Sequence, residues 1–149
     1  MASDVTLTCP NVNSGTAVSF QGATISYAWK NLTRTTPLTN QFTLGETQMA
    51  GYENPKIVVK GYIDTNQSTS NVVTQSLLLD FAKIPYDATA SNSITFSVST
   101  GSTSAYLRNA ANTANSLKVV IENFNIDIDA GDAELGHLWN YTMTLVETA

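Results

Sequence analysis

The chain is 149 residues long, which suits one domain able to bury about two-thirds of its unfolded surface without staples. Charged residues make up 13% and the net charge is −5, with seven Lys and Arg standing singly; that excludes the basic patch on which specific duplex binders depend. Ser, Thr and Asn are about a third of the residues, the apolar share is near normal, and the single cysteine, Cys9, has no partner for an internal disulfide, so the chain reads as β-rich with wet, weakly charged surfaces.

Residues 4–8 and 16–20 read as short strands around a turn at Asn13, Ser14 and Gly15. From 24 to 29, Ile25, Tyr27 and Trp29 share one face and Thr24, Ser26 and Ala28 the other, the period-two signature of a half-buried strand. Residues 30–55 break that pattern. Apolar side chains thin out and Pro37, Gly45, Gly51 and Pro55 punctuate the run, so it reads as a long inter-strand loop with at most a short strand at 41–44. Strand character returns from 55 to 64 with Ile57, Val59 and Ile63 on one side, and Gly61 inside the run predicts a bulge or the close approach of another backbone.

The spacing of Val73, Leu77 and Phe81 predicts one helix over residues 71–83, with Ser70 as N-cap and Pro85 beyond its end. Residues 93–99 alternate without exception, Ile94, Phe96 and Val98 against Ser and Thr. Residues 100–116 read as a polar loop, with a possible helical turn at 105–111. Residues 117–147 read as two long strands joined by a turn at Ala130, Gly131 and Asp132. In the first of these the apolar phase slips near Glu122: Leu117, Val119 and Ile121 are followed by Phe124, Ile126 and Ile128. A slip of that kind means a bulge or a change of packing partner. Asn123, Asn125, Asp127 and Asp129 then share the face opposite the apolar one, which wants water, either bulk solvent or the inside of a pore.

Groups placed for chemistry are scarce. His137 is the only histidine and lies by a turn; no nucleophile elbow, phosphate-cradling glycine loop or zinc spacing accompanies it. Four carboxylates fall within residues 127–134, a composition hard cations favour, but the glycine is misplaced for an EF-hand loop and the distal Glu is missing. Trp29, Trp139, Tyr27, Tyr141 and Tyr52 are candidates for a sugar platform, although most lie on apolar faces that suit a core. The sequence therefore gives no reason to expect an enzyme, a metal or a cofactor. No run approaches the roughly 18 apolar residues of a membrane span, and the first ten residues carry no leader pattern.

The order of these features resembles the tail-tube proteins of tailed bacterial and archaeal viruses. The parts that carry it are the long segment at 30–55, the strand NPKIVVKGYID at 54–64, the helix VVTQSLLLDFAK at 72–83 and the ending GHLWNYTMTLVET at 136–148. The resemblance implies a mainly β, sandwich- or barrel-like single domain over residues 1–149, with one flanking α-helix and a long inter-strand loop. It implies a structural virion subunit, assembled in a host cytoplasm, that stacks with copies of itself and other tail proteins as rings of six around a channel for DNA, with no membrane partner. On that reading Asn123, Asn125, Asp127 and Asp129 are candidates for the lumen. Arg34, Phe42, Leu44, Met49 and Tyr52 are candidates for an arm that orders on a neighbouring subunit. Two other readings stay open, a capsid decoration protein and a carbohydrate-binding β-sandwich module.

Overall fold

The alternating segments fold as strands in the computed structural model, which describes residues 5–37, 44–85, 90–100, 103–131, 134 and 136–149. Among these residues ten strands and one α-helix follow in chain order: β1 (Val5–Thr8), β2 (Val18–Ser19), β3 (Gln21–Ala28), β4 (Asn31–Thr36), β5 (Glu46–Tyr52), β6 (Lys56–Asp64), α1 (Gln75–Ala82), β7 (Ile94–Thr100), β8 (Thr103–Tyr106), β9 (Ser116–Asp127) and β10 (Leu138–Glu147). The chain is mainly β with one flanking helix, as the sequence predicts. One antiparallel sheet runs β2-β1-β7-β9-β10-β6-β3, with β8 added beside β7, while β4 and β5 pair as a second sheet.

The order of the large sheet has a geometric consequence. β2 and β3 occupy its two ends, yet only Phe20 separates them in sequence. The sheet must therefore curl until its ends lie side by side. Among the described residues no ladder joins β2 to β3, so the curl stops short of a closed barrel. Phe20 is buried at this seam, its amide donates to the Val5 carbonyl, and its ring meets Tyr141 at 5.8 Å. The concave side holds the core, where Leu7, Ile57, Phe96, Leu117, Met143 and Leu145 are fully buried. Each such side chain contributes about 1.5–3 kcal/mol of apolar burial.

α1 starts later than the sequence suggests. Asn71 takes φ 63°, outside the helical region, and the segment around it is an extra strand-like bridge: Val72 pairs in parallel with Ser19, and the Val73 amide donates to the Ser19 carbonyl. That pairing delays the helix, so the cap is Thr74, whose Oγ1 accepts the Leu77 amide at 3.2 Å, and Ser70 lies outside the helix. Leu78 and Phe81 are the buried pair of α1.

Two bulges shape the four-stranded part of the sheet formed by β9, β10, β6 and β3 among the described residues. Ile121 pairs with Leu145 and Asn123 with Thr144, which leaves Glu122 without a partner at the predicted phase slip. In the second, Gly22 and Ala23 of β3 together face Gly61 of β6. At Gly61 the predicted close approach is present: an added Cβ would lie 2.6 Å from the Gln21 carbonyl oxygen and 2.7 Å from the Tyr141 hydroxyl.

Residues 30–55 are where the structure departs most from the sequence reading. They are largely a β-hairpin, β4 paired with β5, and not an irregular loop. Thr33, Thr35, Thr36 and Thr47 supply the β-branched side chains, but both faces are open to solvent, so no apolar alternation marks the strands. Leu44 lies outside any strand; residues 41–43 of the expected short strand fall outside the described residues. Likewise β8 takes part of the segment expected to hold a helical turn at 105–111. The loop after it is held by Arg108, which donates to Asn112 Oδ1, Asn115 Oδ1 and the Asn112 carbonyl.

Candidate interaction surface

β3 leads into β4 and β5 into β6 with only two or three residues between, and the partners match: β3 pairs with β6, and β4 with β5. The hairpin is thus the distal part of one long ribbon, kinked at residues 29–30 and 53–55. The kink is clasped. Trp29 stacks on Tyr52 at 4.4 Å and donates from Nε1 to Asn31 Oδ1 at 2.8 Å. Beside them Lys30 Nζ and Glu53 Oε1 are 3.2 Å apart, and the Glu53 amide donates to the Lys30 carbonyl.

Beyond the clasp, every residue of β4 is exposed, and so is all of β5 except half-buried Gly51. Cross-strand register sorts the side chains. Asn31, Thr33 and Thr35 share a face with Tyr52, Met49 and Thr47, while Leu32, Arg34 and Thr36 share the other with Gly51, Gln48 and Glu46. Met49 and Tyr52 therefore lie together and Arg34 lies opposite them. Met49 is 66% exposed, and Leu44, before β5, is 92% exposed. Phe42 lies outside the described residues.

The second candidate surface is the outer face of β9, β10, β6 and β3. Here the register lines up Asn123 with Thr144, Val58 and Ser26, then Asn125 with Thr142, Lys60 and Thr24, then Asp127 with Asn140 and Tyr62. Asn123, Asn125 and Asp127 are exposed, as the alternation predicts, and Phe124 and Ile126 turn to the core side. Asp129 is exposed beyond the end of β9. The face is four strands wide, polar and nearly balanced in charge, with Lys56 paired to Glu122 at 3.3 Å.

Neither outer strand of this four-stranded face is paired with a further strand along its full length among the described residues, although α1 comes close to β9. Among the described residues β3 pairs only with β6. β9 pairs with β7 through Ser116 to Val119, so its continuation to Asp127 has β10 on one side and no strand on the other among the described residues. Unpaired strand edges are templates for another strand.

Where the ribbon kinks, a cleft of 580 Å³ opens, lined among others by Tyr52, Asn54, Asn109, Ala110, Lys118 and Glu147. The sequence gives no warning of Glu147, the one buried charged side chain of the described residues, 6% exposed. Its carboxylate accepts the Ala110 amide at 2.7 Å and the Tyr27 hydroxyl at 3.4 Å, and its carbonyl accepts Asn54 Nδ2 at 3.0 Å. The Tyr27 hydroxyl is pushed above its ordinary pKa of 10.0, first by burial and then by this carboxylate. Glu147 continues the inward alternation of Tyr141, Met143 and Leu145; only the loop and the kink that close over it, both distant in sequence, make it buried.

The other residues weighed in the sequence are placed as follows. Cys9 is buried and its thiol donates to the Ser91 carbonyl at 3.6 Å. His137 is half-buried, and its carbonyl accepts the Thr65 amide and hydroxyl. Of the five aromatics, Tyr141 is in the core and Trp139 and Tyr27 pack against it, leaving Trp29 and Tyr52, which cover each other. No group of three or more His, Cys, Asp or Glu is placed to hold a metal among the described residues; Asp132, one of the expected acidic cluster, lies outside them.

No protein-family model matches the chain, and no curated protein matches it. Among solved structures it is similar to a chain of an extracellular contractile injection system, the PVC sheath–tube complex in its extended state. That match has 10% identity and a TM-score of 0.46 and covers 100% of this chain and 87% of that one. It is also similar to the tube-terminating cap of the anti-feeding prophage, with 11% identity and a TM-score of 0.43, covering 99% of this chain and 85% of that one.

Proposed function

We propose that the protein is a structural subunit of a virus-tail-like tube, and that it works by joining its sheet to those of identical neighbours. The observation that carries this is the polar four-stranded face whose two outer strands are left unpaired, β3 on one side and residues 120–127 of β9 on the other, among the described residues. β3, β6, β10 and β9 alternate in direction, so β3 and β9 run opposite ways. The β3 edge of one copy then meets the β9 edge of the next in antiparallel register. Two different edges joined head to tail are a heterologous contact, which closes as a ring when the rotation allows. On this reading six copies make the ring, rings stack, and the Asn123, Asn125 and Asp127 face, with Asp129, lines the bore. A face of amides, hydroxyls and few charges offers passing DNA no phosphate clamp. The hairpin of β4 and β5, which alone is marginal in water, gains its stability by lying on the next subunit.

The test is the full chain at increasing concentration, followed by native mass spectrometry and negative-stain electron microscopy. Rings or stacked tubes with a central hole are expected. Cysteines placed together at Ser26 and Asn123 should give a ladder of disulfide-linked copies on oxidation. A protein that stays monomeric at every concentration, with no ladder, overturns the reading; a closed trimer without stacking points to a decoration protein instead.

A further inference from the structure

The four-stranded face has two unlike ends. Register puts Gln21, Asp64, Asp127 and Leu138 at one of them, and Ala28, Lys56, Val120 and Val146 at the other. The first end is acidic. Asp64 and Asp127 close their strands, and exposed Asp129 and Glu134 follow on the way to β10. The segments that meet there, residues 10–24, 61–72 and 125–140, contain no Lys or Arg. The opposite end holds Lys30 at the kink, Lys56 at the start of β6, Lys118 near the start of β9, and Arg108 in the loop whose Ala110 amide reaches Glu147. Arg34 follows along the hairpin that leaves from this end. These are five of the seven basic side chains, and all five are exposed. Of the carboxylates nearby, Glu53 is paired with Lys30, Glu122 is paired with Lys56 and Glu147 is buried, which leaves Glu46 on the hairpin. Lys118 and Arg34 make no ion pair among the described residues.

We infer that the acidic end is a docking surface for the basic end of a second copy, so that rings stack head to tail by charge. The inference rests on the ring reading above: when copies join edge to edge, the strand ends become the two rims of the ring. Asp64, Asp127, Asp129 and Glu134 then face the next ring's Lys118 and Arg34, the cations with no carboxylate of their own. Stacking two rings by their acidic rims would instead set like charges against each other, which is unfavourable. Exposed ion pairs are weak singly and are screened by salt. Here every subunit of the ring repeats the contact, and the arrangement fixes which rim meets which.

The experiment measures stack length for the full chain by negative-stain electron microscopy and sedimentation. Between about 0.1 M and about 1 M NaCl the screening length shrinks from about 10 Å to about 3 Å. Rings should persist in both, and stacks should shorten severalfold at the higher salt. Asp129→Lys combined with Glu134→Lys, both beyond the end of β9, should give single rings at low salt, and so should Arg34→Glu combined with Lys118→Glu. Mixing the two kinds of ring should restore stacks, because the first is then basic at both rims and the second acidic at both. Stacks of equal length in both salts, charge-reversed rings that stack like the parent, or mixed rings that stay apart overturn the inference and leave the ring reading standing. A chain that forms no ring overturns both.

Discussion

Trp29 and Tyr52 stack with ring centroids 4.4 Å apart and planes tilted by 28°, although each stays more than two-fifths exposed. They lie on either strand of the ribbon at its kink, so their contact sets the direction in which β4 and β5 leave the body. Such a pair adds about 0.5–1.5 kcal/mol beyond its area. Tyr52→Ala should therefore leave the main unfolding transition within about 1 kcal/mol of the parent, because Tyr52 is itself exposed and not part of the buried core. It should release the hairpin to a wider range of angles. Limited proteolysis reads this directly: faster cleavage within residues 31–52, with the remainder of the chain protected, is the expected pattern. Equal cleavage rates in both proteins would show that the stack holds nothing in place.

Glu147 gives a sharper stability test. Its carboxylate serves the Ala110 amide from one side and the Tyr27 hydroxyl from the other. Glu147→Ala leaves a half-buried amide without its acceptor and empties the floor of the cleft, with an expected loss of about 1–3 kcal/mol in urea unfolding. Glu147→Gln keeps the shape and one acceptor oxygen, and should lose less than half as much. Equal losses in the two variants would mean that the carboxylate itself, and not the volume it fills, is what matters there.

Stability should also fall at alkaline pH. Burial raises the Tyr141 hydroxyl well above its ordinary 10.0, and burial together with Glu147 raises Tyr27. The unfolded chain loses these protons first, near pH 10, while the folded chain keeps them. The contribution is therefore full below about pH 10 and is lost as pH rises through the folded values. Urea midpoints between pH 8 and 12, read with tyrosinate absorbance, should fall above pH 10, and Tyr141→Phe should flatten that fall. An unchanged slope in the variant would remove Tyr141 from the account.

What the sequence could reveal follows from which face of each strand meets the core. β7, β9 and β10 each bury one face, so Phe96, Leu117 and Met143 announce themselves by alternation. The same logic placed Asn123, Asn125 and Asp127 on the outer face, since Phe124 and Ile126 had to point inward. β4 and β5 bury neither face, so Arg34 and Met49 carry no period, and the hairpin was hidden in what read as a loop. The helix start was misplaced because Asn71 and Val72 are held by Ser19, some fifty residues earlier in the chain, which no local pattern reports. Glu147 was illegible for the same reason: its burial depends on Tyr27, Ala110 and Asn54, which reach it from three separate parts of the chain.

The bulge at Glu122 separates two deletions that look alike in sequence. Removing Glu122 joins Ile121 to Asn123, whose partners Leu145 and Thr144 are already consecutive. The ladder becomes regular, every later side chain keeps its face, and the loss is an exposed ion pair with Lys56, worth at most about 1 kcal/mol. Removing Asn125, only three residues on, joins Phe124 to Ile126. Ile126 would then take the outward place opposite Thr142, and Asp127 the inward place opposite buried Tyr141. A carboxylate in that half-buried place has no cation to meet among the described residues, and it bears part of the roughly 2–7 kcal/mol that transfer measurements give for burying an unpaired polar group. The Glu122 deletion is expected to fold and melt near the parent temperature, and the Asn125 deletion to lose its cooperative transition or to free the end of β9. Because a bulge also bends its strand, the proposed assembly should still differ in the first protein, with rings of altered diameter or none. If instead the Glu122 deletion unfolds while the Asn125 deletion survives, the register of β9 against β10 is not the one described.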